Sequence, residues 1–445
     1  MRLPTFIKGV HPNDYKHFTC TKLIETLPLP DHVFISLQQH IGAPCTVVVE
    51  KGQDIKTGQV VGASDAYVSS PVHSSITGKV KDIGTFTHPI GGKVQMVYIQ
   101  RTADEDQWEL MPAISDWKSA SIDRLKQQVR AAGIVGMGGA AFPTHVKLAP
   151  PKDKTIDSFI LNGCECEPFL TADHRAMVEQ ADKILAGMAI IMKVLGVKDG
   201  FIGIENNKPD AIETMRAAVR QGGYNFKVVS LQVKYPQGAE KMLIQSVLKR
   251  QVPTGGLPMD VGTVVNNIGT AIAVANAVIA GKALVERIVT VTGDGINEPK
   301  NVLVRIGTPF QDILNHCGGL NEEAIQVFMG GPMMGIAQHN LQVPIVKATS
   351  GIVCTAEKGQ PAERAMPCIR CGTCVSACPM FLLPTRIARL SEMGHTAESE
   401  DLGIMNCIEC GSCSFVCPSQ IPLVQWIRLG KLQVGEMKRK EKEAA

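Results

Sequence analysis

Two stretches, CIRCGTCVSACP at residues 368–379 and CIECGSCSFVCP at residues 407–418, share one spacing, C-x2-C-x2-C-x3-C-P. Their reading decides the last domain of the chain. Three cysteines at steps of three wrap a loop around three corners of an iron–sulfur cubane. The fourth lies too far along to close on that cube and ligates the other one. One [4Fe–4S] cluster is therefore expected on Cys368, Cys371, Cys374 and Cys417, and a second on Cys407, Cys410, Cys413 and Cys378. Gly372 and Gly411 let backbone N–H groups approach the sulfurs. Zinc ribbons use pairs of cysteines, not triplets followed by a distal Cys-Pro. The 28 residues between Cys378 and Cys407 contain an amphipathic stretch, Pro384 to Met393. That predicts a helical two-cluster ferredoxin domain over 361–435, an electron path between partners.

Outward from this core, cysteine usage stands apart from an ordinary composition. The 445 residues hold 14 cysteines; Lys plus Arg number 45 against 42 Asp plus Glu, a net charge of +3, and aromatics are 5%. So little net charge and so few stacking platforms exclude nucleic acid as a first partner. The opening MRLPTFIKGVHPNDYKH lacks the apolar segment of a signal peptide. The most apolar run, Ile184 to Val197, is interrupted by Lys193 and falls short of the roughly 18 residues a membrane helix needs. A soluble or peripheral chain facing a reducing compartment is expected, where clustered cysteines serve as ligands rather than disulfides. Cys20, Cys45, Cys317 and Cys354 read as buried thiols. Cys164 and Cys166 form a C-x-C with no further ligand nearby, and the tail KRKEKEAA reads as a solvated end.

The rest divides into three units. Residues 1–100 read as β, with CTVVVEKGQDIKTGQVVG (45–62) and SSPVHSSITGKVKDIG (69–84) as valine-rich strands around glycine turns. They resemble the barrel-sandwich fold of lipoyl and biotinyl domains. The tip that carries a modified lysine there is SPVHSSITG here, which argues against a swinging arm. Residues 101–120 read as a polar linker with Trp108 and Trp117. Over 121–270 helices and strands alternate: a helix capped by Ser121, a strand from Ser158, one or two helices over 171–195, strands near 200–204 and 227–233, and helices near 210–220 and 238–248. That order predicts a Rossmann-like α/β domain with a largely parallel sheet. Over 285–350, VTVTG and KNVLVRI flank a turn ahead of the helix TPFQDILNHCGG, a β-grasp pattern.

Three segments of the α/β region carry candidate chemistry. In AAGIVGMGGAAFPTHVKL (131–148), Gly136, Gly138 and Gly139 can bring backbone N–H groups onto a phosphate, with Lys147 as a point charge; a tight turn reads equally well. The segment is not a P-loop, lacking GK[ST] ahead of a helix, and follows no strand as the Rossmann fingerprint requires. In LNGCECEP (161–168) a strand ends and Asn162, Glu165 and Glu167 project at its carboxyl end, where open α/β sheets bind ligands. Such carboxylates suit ribityl or ribose hydroxyls, or form a solvated acidic turn. In VVNNIGTA (264–271), Asn266, Asn267 and Thr270 are neutral hydrogen-bonding groups that alone could be a helix cap.

Taken together, GMGGAAFPTHVK, NGCECEP and VVNNIGT resemble the FMN-binding segments of the flavoprotein subunit of respiratory complex I, which run close to GRGGAGFPTGxKW, NGDESEPG and NNVET. With a sandwich-like N-terminus and two ferredoxin motifs, the order resembles that of the C subunits of Rnf ferredoxin:NAD⁺ oxidoreductase complexes. GDGINEPKN (293–301) resembles the β-grasp SLBB unit that follows the flavin domain. The resemblance implies non-covalent FMN, with Gly136, Gly138, Gly139 and Lys147 at its phosphate, Asn162 and Glu165 at its ribityl chain or ring, and Asn266, Asn267 and Thr270 on the other wall. It implies Phe142 and Glu167 facing NAD(H). Glu240, in YPQGAEKML, matches loosely a glutamate of the complex I GEE segment, and Cys164 stands where that family has Asp.

The implied activity is hydride exchange between NAD(H) and FMN, with single electrons passing through the two clusters. The implied setting is the cytoplasmic face of a membrane, among the other subunits of an ion-translocating complex, with ferredoxin engaged indirectly. A microcompartment cobalamin reductase is the alternative of similar layout, and a ferredoxin-like relay without flavin is the non-enzymatic one.

Overall fold

The computed structural model describes residues 3–356 and 365–444. The sandwich is built from two antiparallel sheets. One orders the strands His32–Ser36, Lys93–Arg101, Gly78–Thr87 and Asp54–Ile55; the other orders Thr46–Val47, Val60–Ala63 and Val72–His73. Valine and isoleucine from both close the core, with Val33, Ile35, Val61, Val97 and Ile99 fully buried. The hairpin tip is buried as well. Ser69, Ser70, His73, Ser74 and Ser75 are all shielded, and Ser75 Oγ donates to the Ile306 carbonyl at 2.5 Å. Lys347 Nζ joins Pro71 O (2.8 Å) to Gly133 O (2.6 Å). Burial pushes that ammonium down to about 7. The tip is thus wedged against the two following units.

The α/β unit has a four-stranded, wholly parallel sheet in the order Phe226–Leu231, Asp199–Glu205, Ser158–Asn162, Thr263–Asn267. Asn162 and Asn267 end neighbouring strands in register, so two of the three candidate segments meet at one carboxyl edge. The helical stretch over 171–195 divides at Gln180 into Ala172–Glu179 and Ala181–Leu195. Its second half is a core helix, with Ile184, Leu185, Met188, Ile190 and Ile191 buried. It packs on the helix Ile268–Ala280 so closely that a Cβ at Gly187 would strike the Ala271 carbonyl. Among the described residues no helix is long and apolar enough to cross a membrane.

The β-grasp unit is larger than its sequence pattern. Its six-stranded sheet takes Ile24–Thr26 as an edge strand, parallel to Lys300–Arg305, followed by Glu286–Thr292, Gly351–Thr355, Gln326–Met329 and Ile336–Gln338. The N-terminal residues read with the sandwich therefore lie across other units. Three residues carry too little periodicity to announce a strand. Pairing decides it, helped by Glu25 against Lys300 (3.4 Å) and His316 (2.7 Å). The linker is pinned rather than loose: Glu109 N–H meets Thr57 O and Met111 N–H meets Gly281 O, and the Trp108 ring lies under the Lys282 and Arg305 cations.

The ferredoxin unit is helical, with Thr373–Ala377, Pro384–Glu392, Thr396–Asp401, Ser412–Phe415 and the long Leu423–Ala444. The last helix carries on into the charged tail as far as Ala444, and Lys438 pairs with Glu400. Pro361, the expected start of this unit, lies outside the described residues.

Candidate functional site

The eight clustered cysteines face two separate cavities. Cys368, Cys371, Cys374 and Cys417 line one; Cys378, Cys407, Cys410 and Cys413 line the other. These are the interleaved sets that the spacing predicts. Among the described residues no three His, Cys, Asp or Glu groups converge on one ion position. A cubane does not require that, because each iron corner takes one thiolate. The cysteines fit two such clusters, and the duplicated glycines show why: Gly372 and Gly411 sit at φ 76° and 75°, turning the chain after the second cysteine of each run. The chambers differ in exposure. In the outer set Cys368 and Cys371 are exposed and Cys374 is buried, whereas in the inner set Cys378, Cys410 and Cys413 are buried and Cys407 is partly so. Burial pushes Cys407 up to about 11, while the Thr373 hydroxyl holds Cys371 below the ordinary thiol value.

The inner chamber abuts the α/β unit. Val10, Tyr235, Ala377 and Cys410 form one buried apolar cluster with Cys166 and Met333 at its margin. The Tyr235 hydroxyl reaches Cys410 O (2.8 Å) and Glu167 Oε1 (3.3 Å). Glu167 Oε2 accepts from Met333 N–H at 3.1 Å. Loss of water around Glu167 outweighs these contacts and raises its pKa to about 7.

In the acidic turn most polar atoms are committed to the protein. Asn162 donates to Gly238 O (2.9 Å) and accepts from Cys164 N–H (3.2 Å). Glu165, at φ 47°, accepts from the N–H groups of Asp173 (2.7 Å) and His174 (3.1 Å), capping the helix that follows. Asn267 accepts from Gly269 N–H and donates to Asp173 Oδ2 at 2.6 Å. Burial first, and Glu165 second, push Asp173 up to about 7. Thr270 Oγ1 accepts from Met137 N–H at 3.0 Å, tethering the glycine loop. Two buried lysines, absent from the sequence reading, hold the turn from below: Lys16 against the carbonyls of Glu165, Glu167 and Leu170, and Lys208 against the Cys164 carbonyl. Asp173 and these lysines carry no motif signal, and Tyr235 only opens the YPQGAEKML segment read for Glu240.

Other atoms stay available. Gly138 and Gly139 are exposed, and a Cβ at Gly139 would meet nothing within 4 Å. Gly136 N–H and Phe142 O close the loop at 2.9 Å, and Phe142 is half-buried. Lys147 Nζ binds Glu240 Oε1 (2.5 Å) and Val265 O (2.8 Å), with one proton to spare. The Asn266 amide nitrogen is buried without a partner, a deficit that costs stability until something accepts from it. Open glycine backbone, a lysine and an unpaired amide fit a phosphorylated ligand such as FMN.

Family comparisons follow this geometry along the chain. The RnfC barrel sandwich hybrid domain matches residues 4–104, the Nuo51 FMN-binding domain 129–276, the SLBB domain 288–337 and the 4Fe-4S dicluster domain 364–421. The chain is 51% identical to the C subunit of the proton-translocating ferredoxin:NAD(+) oxidoreductase complex of Clostridium ljungdahlii, covering 96% of this chain and 93% of that one. It belongs to the family of C subunits of ion-translocating ferredoxin:NAD(+) oxidoreductases. The C subunit of the Na(+)-translocating ferredoxin:NAD(+) oxidoreductase complex of Acetobacterium woodii is 44% identical over 98% of both chains. The C subunit of an ion-translocating oxidoreductase complex of Rhodobacter capsulatus is 42% identical over 96% of this chain and 83% of that one. Among solved structures, an NAD+-reducing [NiFe]-hydrogenase in the H2-reduced state shares the fold at TM-score 0.54 and 18% identity, over 73% of this chain and 66% of that one. In this member of the family, the FMN-domain match spans the glycine loop, the acidic turn and Asn266 to Thr270, and the dicluster match spans all eight cysteines.

Proposed function

We propose that this chain is the peripheral electron-input or electron-output subunit of a membrane ion-translocating ferredoxin:NAD⁺ oxidoreductase, working at the cytoplasmic face with the other subunits of its complex. One observation carries the reading: Tyr235 touches both the acidic turn and the Cys410 loop, so the nucleotide side and the inner cluster chamber share a residue. Bound FMN supplies hydride exchange with NAD(H) and the release of electrons one at a time. The chain supplies the rest. The backbone of Gly136, Gly138 and Gly139, with Lys147, receives the phosphate, and Glu240 orients Lys147. Asn162, Glu165, Asn267 and Thr270 fix the walls, and Asn266 offers its unpaired amide. Phe142 and Glu167 face NAD(H). Cys378, Cys407, Cys410 and Cys413 hold the cluster next to the α/β unit, and the second set holds the one nearer the surface. The sandwich at the N-terminal end favours this role over a cobalamin reductase.

The test is an anaerobic purification with iron, sulfide and flavin quantified, then titration with NADH. A variant with both Lys147→Met and Glu167→Gln is expected to keep full iron and sulfide and to lose reduction of flavin by NADH. Normal flavin bleaching in that variant overturns the site assignment.

A further inference from the structure

The side chain of Lys16 enters the acidic turn from the N-terminal segment. Its Nζ donates to the carbonyls of Glu165 (2.8 Å), Glu167 (3.0 Å) and Leu170 (2.6 Å). An ammonium has three N–H donors, and all three go to one short stretch of backbone. Lys16 is 6% exposed, so the charge is withdrawn from water and held by these carbonyls alone, with buried Lys208 and the carboxylates of Glu165 and Glu205 acting from farther off.

The stretch it holds is strained. Glu165 lies at φ 47° and Phe169 at φ 71°, left-handed conformations that non-glycine residues adopt at a cost and keep only when their surroundings impose them. The N-terminal segment imposes this one. Phe169 N–H binds Asp14 O at 2.8 Å, and the Tyr15 ring stacks on Phe169 at 4.6 Å. The resulting shape puts the Glu165 carboxylate on the N–H groups of Asp173 and His174 and the Glu167 carboxylate beside Tyr235 and Met333.

We propose that Lys16 is a positioning residue of the NAD(H)–flavin site, its ammonium clamping the 165–170 backbone so that Glu165 and Glu167 are presented in working geometry. This rests on reading that turn as a wall of the site, and the experiment separates the two. Full-length protein carrying flavin and both clusters is prepared as Lys16→Met, Lys16→Arg and Glu167→Gln. Iron, sulfide and flavin content are measured, followed by flavin reduction across NADH concentrations.

Lys16→Met removes three charge-assisted bonds and keeps an unbranched side chain only one atom shorter. It is expected to retain iron and sulfide, with the half-saturating NADH concentration raised about tenfold or more and the maximal rate changed much less. Lys16→Arg is expected to recover most of that loss. A residue serving stability alone would lower the unfolding temperature without this split. If Lys16→Met yields no folded protein, Lys16→Gln, which keeps two donors, carries the same measurement. Wild-type NADH dependence in the methionine or glutamine variant, with Glu167→Gln impaired, overturns the assignment to Lys16 alone. Wild-type behaviour in Glu167→Gln overturns the reading of the turn itself.

Discussion

The phenolic oxygen of Tyr235 lies 2.8 Å from the carbonyl oxygen of Cys410. That single bond spans 175 residues of sequence and joins the α/β unit to the loop from which Cys407, Cys410 and Cys413 line the inner chamber. Tyr235 is 1% exposed, so the carbonyl has no water to replace the hydroxyl if it is removed. Tyr235→Phe is expected to cost about 1–2 kcal/mol of stability, measured by urea unfolding. It also removes the 3.3 Å contact to Glu167, so flavin reduction and cluster reduction are followed separately by stopped-flow absorbance, with the reduction of the clusters expected to slow the more. Cluster reduction at the wild-type rate would show that the contact only fastens the two units together.

Glu167 gives the protein a pH signature. Its carboxyl titrates at about 7 in the folded chain against an ordinary 4.5. Between these values the unfolded chain has released the proton and the folded chain keeps it, so stability falls as pH rises through that window. The penalty is absent below 4.5 and complete above about 7. Glu167→Gln removes it, so the variant's stability relative to wild type should grow from about pH 5 to pH 8. Asp173, also near 7, is present in both proteins and cancels in the difference. A flat difference across the series would mean that Glu167 ionises as an ordinary surface carboxylate.

The two cysteine chambers should be separable by substitution. Cys374→Ser in the outer set and Cys413→Ser in the inner set are each expected to lose about half of the iron and sulfide. They should differ in what NADH then reduces. The outer variant keeps the inner cluster within reach of the α/β unit; the inner variant interrupts the path, and its remaining cluster stays oxidised on the time scale of flavin reduction. Electron paramagnetic resonance after a short NADH pulse reads the two cases. Equal cluster signals in both variants would contradict the serial order.

Thr270 contributes through the loop it restrains. Its hydroxyl accepts from Met137 N–H at 3.0 Å inside the core. Thr270→Val keeps the shape and strands that donor, at a cost of about 1–3 kcal/mol. Flavin affinity is expected to fall with it, because the tethered residue precedes Gly138 and Gly139. Fluorescence titration of the flavin-free protein measures the change; unaltered affinity would place the loop's rigidity elsewhere.

How much of this was legible depends on how local each feature is. Cys368 to Cys417 announce their grouping because cluster geometry fixes the spacing within two short runs, and the structure divides them the same way. The parallel sheet and its helices were readable from periodicity, although Gln180 had to be seen to divide one helical stretch in two. Asn162, Glu165, Asn267 and Thr270 could be picked out as a constellation, but not the backbone groups that occupy them, which come from elements up to 133 residues away in the case of Thr270. Lys16 had no local signal at all, and Tyr235 stood only at the start of YPQGAEKML, a segment read for Glu240. A lysine in NDYKHF looks like any surface lysine until residues 165–170 fold over it, and Ile24 to Thr26 becomes a strand only beside Lys300 to Arg305.

The unequal exposure of the two chambers has a practical consequence under air. Cys368 and Cys371 face solvent, while Cys378, Cys410 and Cys413 are buried, Cys410 against Tyr235 of the α/β unit and Val10 of the N-terminal segment and Cys413 in the core of the ferredoxin unit itself. Dissolved oxygen and chelators meet the outer cluster first. A preparation handled aerobically is expected to keep the inner cluster, and with it NADH oxidation by small artificial acceptors, after the outer one is lost. Robust dye reduction is therefore a poor certificate of an intact protein, and iron content per chain is the better one.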